Sequence, residues 1–268
     1  MNGKEIRLAR ILPFPNRRGC IVPIDHGATY GPIAGLENCY DAIAEIKKGG
    51  ASAIVLHKGN LSKVGQFSGL SDANYIMHIS ASTSLGQYQS EKVLVGTVEE
   101  AIKLGAVGVS IHVNLGVDAE PGMLRDFGIV SEKCNDWGMP LLAMMYTEPS
   151  DHPVEDTAHA ARLAQEIGAD IVKVNYPGSA EGMRQINESV NIPVLIAGGT
   201  RITELNEFLH IVDESLYGGS SGVSIGRNIF QHEQTKLVVE VICKLLENKW
   251  HVNECVNYVN QNIYQLLG

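Results

Sequence analysis

The sequence predicts an α/β fold, a TIM-type (β/α)8 barrel forming a single domain with an extra C-terminal helix, and three observations carry that prediction. Eight short apolar segments alternate with stretches of helical periodicity, the pattern of a parallel sheet covered by helices. The ends of those segments lie roughly 23 to 33 residues apart, the spacing of successive βα units. The chain has 268 residues, close to the ~250 of such a barrel. A doubly wound sheet would not need eight even repeats, and no GxGxxG follows a strand.

Taken in order, a polar, basic lead-in (1–19) precedes the first strand, Cys20–Asp25. A helix is expected over Glu37–Lys48, stopped by Gly49-Gly50. The second strand is Ala53–His57, and residues 60–74 read equally as helix or loop. The third strand is Tyr75–Ser80, and Val93-Leu94-Val95 is a short extended piece. Thr97 opens the next helix as N-cap, with Glu100 in the capping-box position and Gly105 as its stop. The fourth strand is Gly108–Val113, then a helix from Pro121 to Trp137 with proline in its first turn. The fifth strand, Leu141–Tyr146, and the helix Asp156–Ile167 follow, the latter closed by Gly168. Ala169–Tyr176 is the sixth strand, with helix Ala180–Val190 beyond it. The seventh strand, Pro193–Ala197, leads to helix Ile202–Ser215, and the eighth is Gly222–Ile225. Helices over His232–Asn248 and Val252–Leu267 end the chain; the tail (250–268) is read as packing rather than function.

The overall composition narrows the function. Hydrophobic residues make up 44% and charged residues 19%, an ordinary globular balance. The net charge of -9 argues against a nucleic-acid or anionic-membrane partner, yet leaves room for a locally positive site taking small anions. Five cysteines without CxxC spacing suit reduced thiols in a cytoplasm. No apolar run would span a bilayer, the first residues lack a signal-peptide core, and no linker marks a boundary within 1–268.

In such a barrel the active site forms at the carboxyl ends of the strands. Those ends carry Asp25-His26, His57-Lys58, His78, His112 to Asn114, Tyr146, Lys173 to Asn175, Gly198-Gly199 and Gly226-Arg227. Alternation puts Ile21, Pro23 and Asp25 on one face, as it does Leu142, Met144 and Tyr146, and Ile171, Lys173 and Asn175. Asp25, Tyr146 and Lys173 are therefore expected to share the barrel interior. A lysine in a doubly buried strand loses hydration, which favours the neutral amine that Schiff-base chemistry uses; a structural ion pair is the competing reading. Lys58 also ends a strand, but Gly59 beside it suggests a more solvated position. The loops after strands seven and eight, with Gly198, Gly199, Gly226 and Arg227, suit a phosphate. The histidines come singly from different strands, so substrate hydrogen bonding or packing is expected of them, and no metal. No GxSxG context supports a hydrolase triad.

Seven motifs, in order, resemble the archaeal-type class I fructose-bisphosphate aldolase family. They are Pro23-Ile24-Asp25-His26-Gly27, Leu56-His57-Lys58-Gly59, Ser110 to Asn114, Ala143-Met144-Met145-Tyr146, Ile171-Val172-Lys173, Ala197-Gly198-Gly199 and Gly226 to His232. The resemblance implies that Lys173 forms an imine with a phosphorylated ketose, Tyr146 donates a proton and Asp25 accepts one. It implies substrate and phosphate contacts from Thr147, Glu148, Val174, Asn175, Gly198, Gly199, Gly226 and Arg227, with His26 and His112 beside them. It also implies phosphorylated-sugar and aldehyde substrates, no cofactor, and a homo-oligomer, perhaps a decamer. Met144 stands where fructose-bisphosphate members typically carry Trp, as in the heptulosonate synthases, and the resemblance implies L-aspartate semialdehyde as the acceptor. The donor would be a deoxy-hexodiulose phosphate or dihydroxyacetone phosphate. Plain fructose-bisphosphate aldolase, a coenzyme A-dependent thiolase-like acyl transferase and a non-catalytic sugar-phosphate-binding barrel are the alternatives. Where the family often has Pro-Arg-Gly after the tyrosine, this chain has Thr147-Glu148-Pro149, so a cation that could hold an anionic substrate end is replaced.

Overall fold

The computed structural model describes residues 3–267; Met1, Asn2 and Gly268 of the predicted 1–268 domain lie outside them. Among the described residues ten strands form: β1 (Gly19–Pro23), β2 (Ala53–His57), β3 (Tyr75–His78), β4 (Ser80–Ala81), β5 (Val93–Leu94), β6 (Gly108–Leu115), β7 (Leu141–Thr147), β8 (Ile171–Val174), β9 (Val194–Ala197) and β10 (Gly222–Ser224). Eight of them close a parallel barrel in the order β1-β2-β3-β6-β7-β8-β9-β10. Apolar side chains line both faces of these strands, which is why each reads as a run rather than an alternation. The outward set, including Cys20, Val22, Val172 and Val174, packs under the helices, while Ile21, Val55, Leu142, Met144, Ile171 and Leu195 fill the interior.

The remaining pair, β4 and β5, is a small antiparallel hairpin outside the barrel, with Ser80 opposite Leu94 and Ala81 opposite Val93. The predicted third strand thus divides at Ile79, whose N–H donates to Ser110 O instead. The predicted N-cap holds: Thr97 accepts from Glu100 N at 3.1 Å. Residues 60–74, left open, contain the end of a short helix (Lys58–Leu61), a 3-10 turn (Val64–Gln66) and loop.

The lead-in, to which the sequence assigns no element, contains a helix, Gly3–Ile11. Its Leu8 and Ile11, with Leu12 beyond, are buried against Ile21, Ile76 and Leu142. They stopper the end of the barrel opposite the strand carboxyl termini. Lys4 pairs with Asp170 at 3.0 Å and Arg7 donates to Gly138 O at 3.0 Å, fixing the plug to the strand entrances. Each buried aliphatic side chain contributes roughly 1.5–3 kcal/mol. At the other terminus the helix Val252–Leu267 buries Val252, Cys255 and Val259, and Tyr258 donates to Glu240 at 3.1 Å, consistent with packing. Among the described residues no helix is long and apolar enough to cross a membrane.

Candidate active site

The carboxyl ends of the strands surround a cavity of about 280 Å3. Lys173 lies in its wall. It sits in β8 with Ile171 on the same inward face, between Met144 of β7 and Leu195 of β9 in register. Only 6% of Lys173 is exposed. Its ammonium nitrogen is 5.8 Å from the centre of the Tyr146 ring, and that ring packs on His112 with centroids 4.7 Å apart. His112 Nε2 donates to Asn114 Oδ1 at 2.8 Å, and burial pushes the ring down to about 3, so it stays neutral near pH 7.

Asp25 follows β1, where Ile24 N still donates to Val55 O at 2.8 Å and holds the chain against β2. His26 Nδ1 stands 3.5 Å from one carboxylate oxygen and His78 Nε2 stands 3.6 Å from the other. Burial alone would raise the Asp25 carboxyl; His78, His26, Lys173 and His57 outweigh it and hold the group well below the usual carboxylate range. Burial in turn holds His78 down at about 4, against the pull of Asp25. His78 is therefore neutral near pH 7, and acts on Asp25 as a dipole rather than as a cation. His57 Nδ1 donates to His78 O at 3.1 Å and stacks edge-on against its ring, which fixes the orientation of both.

The loops after β9 and β10 meet. Asn228, itself buried, donates to Gly198 O at 2.7 Å and Thr200 O at 3.1 Å, and accepts from Ile202 N at 2.7 Å. Arg227 donates to Gly199 O at 2.7 Å. Glycine is required by close approach: a Cβ on Gly226 would stand 2.6 Å from Pro23 O, and one on Gly198 2.6 Å from Ile225 Cγ2. Contact of this kind brings the exits of β9, β10 and β1 together around the cavity. Ser224 is fully buried in the cavity wall, and its hydroxyl has no hydrogen-bond partner in the protein.

Of the expected residues, Lys173, Tyr146, Asp25, Asn175, Gly198, Gly199, Gly226, Arg227, His26 and His112 all line the cavity. Thr147, Glu148 and Val174 do not. Val174 follows Lys173 and so points outward into the helix-covered core, fully buried. Glu148 borders a separate surface depression with Asp118 and Tyr88, and Thr147 lies outside the cavity wall. Lys58 also lies outside it, paired with Glu100 at 3.2 Å.

The cavity also holds Ser80, Met144, Ser224 and Lys92, given no role from the sequence, and His57 and His78, of which substrate hydrogen bonding or packing is expected. The two histidines and Met144 were visible as strand-end or inward positions. Lys92 had no such signal, because it arrives through the β4–β5 hairpin. A buried amine, a carboxylate held ionised, a phenol and a glycine-lined basic corner together suit addition to a carbonyl with proton transfers.

The sequence matches the DeoC/LacD family aldolase over residues 20–232. It is 39% identical over 259 residues, 96% of both chains, to 2-amino-3,7-dideoxy-D-threo-hept-6-ulosonate synthase 1 of Archaeoglobus fulgidus. It is 36% identical over 251 residues, 91% of this chain and 90% of the relative, to 2-amino-4,5-dihydroxy-6-oxo-7-(phosphonooxy)heptanoate synthase of Streptomyces griseus. Among solved structures, a Schiff-base-forming fructose-1,6-bisphosphate aldolase, studied for its reaction intermediates, superposes with a TM-score of 0.80. That match has 25% identity and covers 91% of this chain and 100% of the other.

Proposed function

The chain belongs to the DeoC/LacD aldolase family, and from that premise we propose that it joins a three-carbon ketone unit to an aldehyde through an imine on Lys173. The observation that carries the reading is the placement of Lys173: a buried amine in the cavity wall, beside Tyr146 and with Asp25 in the same space. The amine lone pair adds to the ketone carbon, and the resulting carbinolamine loses water with a proton from Tyr146. The protonated imine is an electron sink. In the cleaving direction Asp25 takes the proton of the donor hydroxyl, the carbon–carbon bond breaks, and its electron pair moves to nitrogen to give the enamine. In the joining direction the enamine, formed by that cleavage or, from dihydroxyacetone phosphate, by loss of an imine α-carbon proton to Asp25, attacks the aldehyde, and the proton passes from Asp25 to the new hydroxyl. The corner of Gly198, Gly199, Gly226 and Arg227 receives the donor phosphate, with the Ser224 hydroxyl left to the substrate.

The two relatives are named for seven-carbon amino-keto acids, one bearing a phosphonooxy group. Products of that kind require an acceptor such as L-aspartate semialdehyde, and a donor such as a deoxy-hexodiulose phosphate or dihydroxyacetone phosphate. Replacement of Lys173 by alanine tests the role of the amine. Lys173→Ala is expected to abolish turnover with these substrates, and substantial residual activity in that variant would sink the assignment.

A further inference from the structure

We infer that Lys92 binds the anionic group of the acceptor aldehyde, across the barrel mouth from the glycine corner, and so makes the enzyme prefer a charged aldehyde to a neutral one. The inference rests on the aldolase reading above. Its basis is the position of the residue in the ring of strands. The glycine corner lies beyond β9 and β10, and counting around the closed barrel from that pair, the opposite gap is the one between β3 and β6. The chain between those two strands is the excursion that folds as the β4–β5 hairpin, and Lys92 stands at the start of β5. Substrate bound by its phosphate at one side and crossing Lys173 would therefore present its far end to Lys92.

Charge supports the same assignment. Apart from the reacting amine of Lys173, two basic side chains line the cavity, Lys92 and Arg227, against one carboxylate, Asp25. This excess sits in a protein of net charge -9, so it is a local feature of the site. Lys92 is half-buried and donates to the neutral Ser82 hydroxyl; among the described residues no carboxylate lies within 4.0 Å of its nitrogen. Burial disfavours its charged form, and Asp25 only partly offsets that. A partly desolvated cation without a counter-ion is costly, and an anionic ligand removes the cost. Glu148, where the family often has arginine, faces away from the cavity, so on this side Lys92 is the cation that lines it. The backbone holds it there: Lys92 N donates to Met123 Sδ at 3.4 Å, and Asn114 donates to Ser90 O at 2.6 Å.

The test compares the wild type with Lys92→Gln and Lys92→Arg on three aldehydes: L-aspartate semialdehyde, glyceraldehyde 3-phosphate and propanal. Dihydroxyacetone phosphate is the donor. The ratio of kcat/KM for the preferred charged aldehyde to that for propanal is expected to fall 10- to 100-fold in Lys92→Gln, mainly through KM, and to recover in Lys92→Arg. Which charged aldehyde leads in the wild type tells carboxylate from phosphate. An unaltered ratio in Lys92→Gln, or equal loss with all three aldehydes, overturns the inference. Borohydride trapping of the donor on wild-type Lys173 separates the two readings. If no imine forms, the aldolase reading fails, and Lys92 is judged by calorimetric titration with L-2-aminobutyrate and inorganic phosphate. Weaker binding of either anion by Lys92→Gln then supports the anion site, and equal binding overturns it.

Discussion

His78 holds its Nε2 atom 3.6 Å from the Asp25 carboxylate and its Nδ1 atom 2.8 Å from Ser110 Oγ. A carboxylate only accepts, so the single proton of the neutral ring belongs on Nε2, and Nδ1 accepts from the Ser110 hydroxyl. The backbone N–H of His112 meanwhile donates to Ser80 Oγ at 3.0 Å, joining β6 to the same cluster. Asp25 is thus held ionised beside His78 and the neighbouring groups that favour its charged form.

Removing that acceptor gives the first prediction. Asp25→Asn keeps the shape of the side chain and is expected to lower kcat by about 10²–10⁴-fold, the usual worth of a positioned acid or base. A steady-state assay of ketose formation reads it, and a loss below ten-fold would take Asp25 out of the proton-accepting role.

The buried imidazoles make stability depend on pH. His78 is held at about 4 and His112 at about 3, against 6.5 in the unfolded chain. Between those values the unfolded chain binds protons that the folded one refuses, so stability rises with pH there. It is fully present above about pH 6.5 and is lost as pH falls toward 4 and then 3, at up to about 1.4 kcal/mol per pH unit for each ring. Asp25, whose carboxyl is also depressed, acts in the same direction at lower pH. Urea midpoints measured from pH 7 to 5 are expected to fall steadily, and to fall less steeply in His112→Gln; a flat profile would contradict the burial account.

The barrel plug predicts a large effect far from the chemistry. Ile11 is 1% exposed and packs among the inner side chains at the closed end. Ile11→Ala is expected to cost about 2–5 kcal/mol in urea denaturation, the range for a large-to-small change in a core. A cost below 1 kcal/mol would mean that the helix Gly3–Ile11 is peripheral.

Strands and their cavity-lining faces were legible because both depend on local pattern. Apolar runs between glycine and proline marked all eight barrel strands, and period-two alternation put Asp25, Tyr146 and Lys173 around one space. The same alternation argues against Val174, which enters only through the binding span Lys173 to Asn175 that the resemblance implies. The helix Gly3–Ile11 escaped notice because four of its nine residues are charged and only its last turns are buried. Its helical face has meaning only against the open end of a barrel, a partner that no local window contains. Lys92 is the clearer case. Its place follows from Ser80–Ala81 pairing with Val93–Leu94, a contact between two segments that read as extended on their own but whose pairing no local pattern shows. Asn228 was quoted within a motif, yet its work of joining Gly198, Thr200 and Ile202 depends on two loops from different strands meeting.

The central claim is that Lys173 forms an imine with a phosphorylated ketone, and covalent capture tests it most directly. The protein is incubated with dihydroxyacetone phosphate and sodium borohydride, digested, and its peptides mapped by mass. The account predicts one reduced adduct, on the peptide containing Lys173, and none in Lys173→Ala. An adduct on Lys58 or Lys92 with Lys173 unmodified would contradict it.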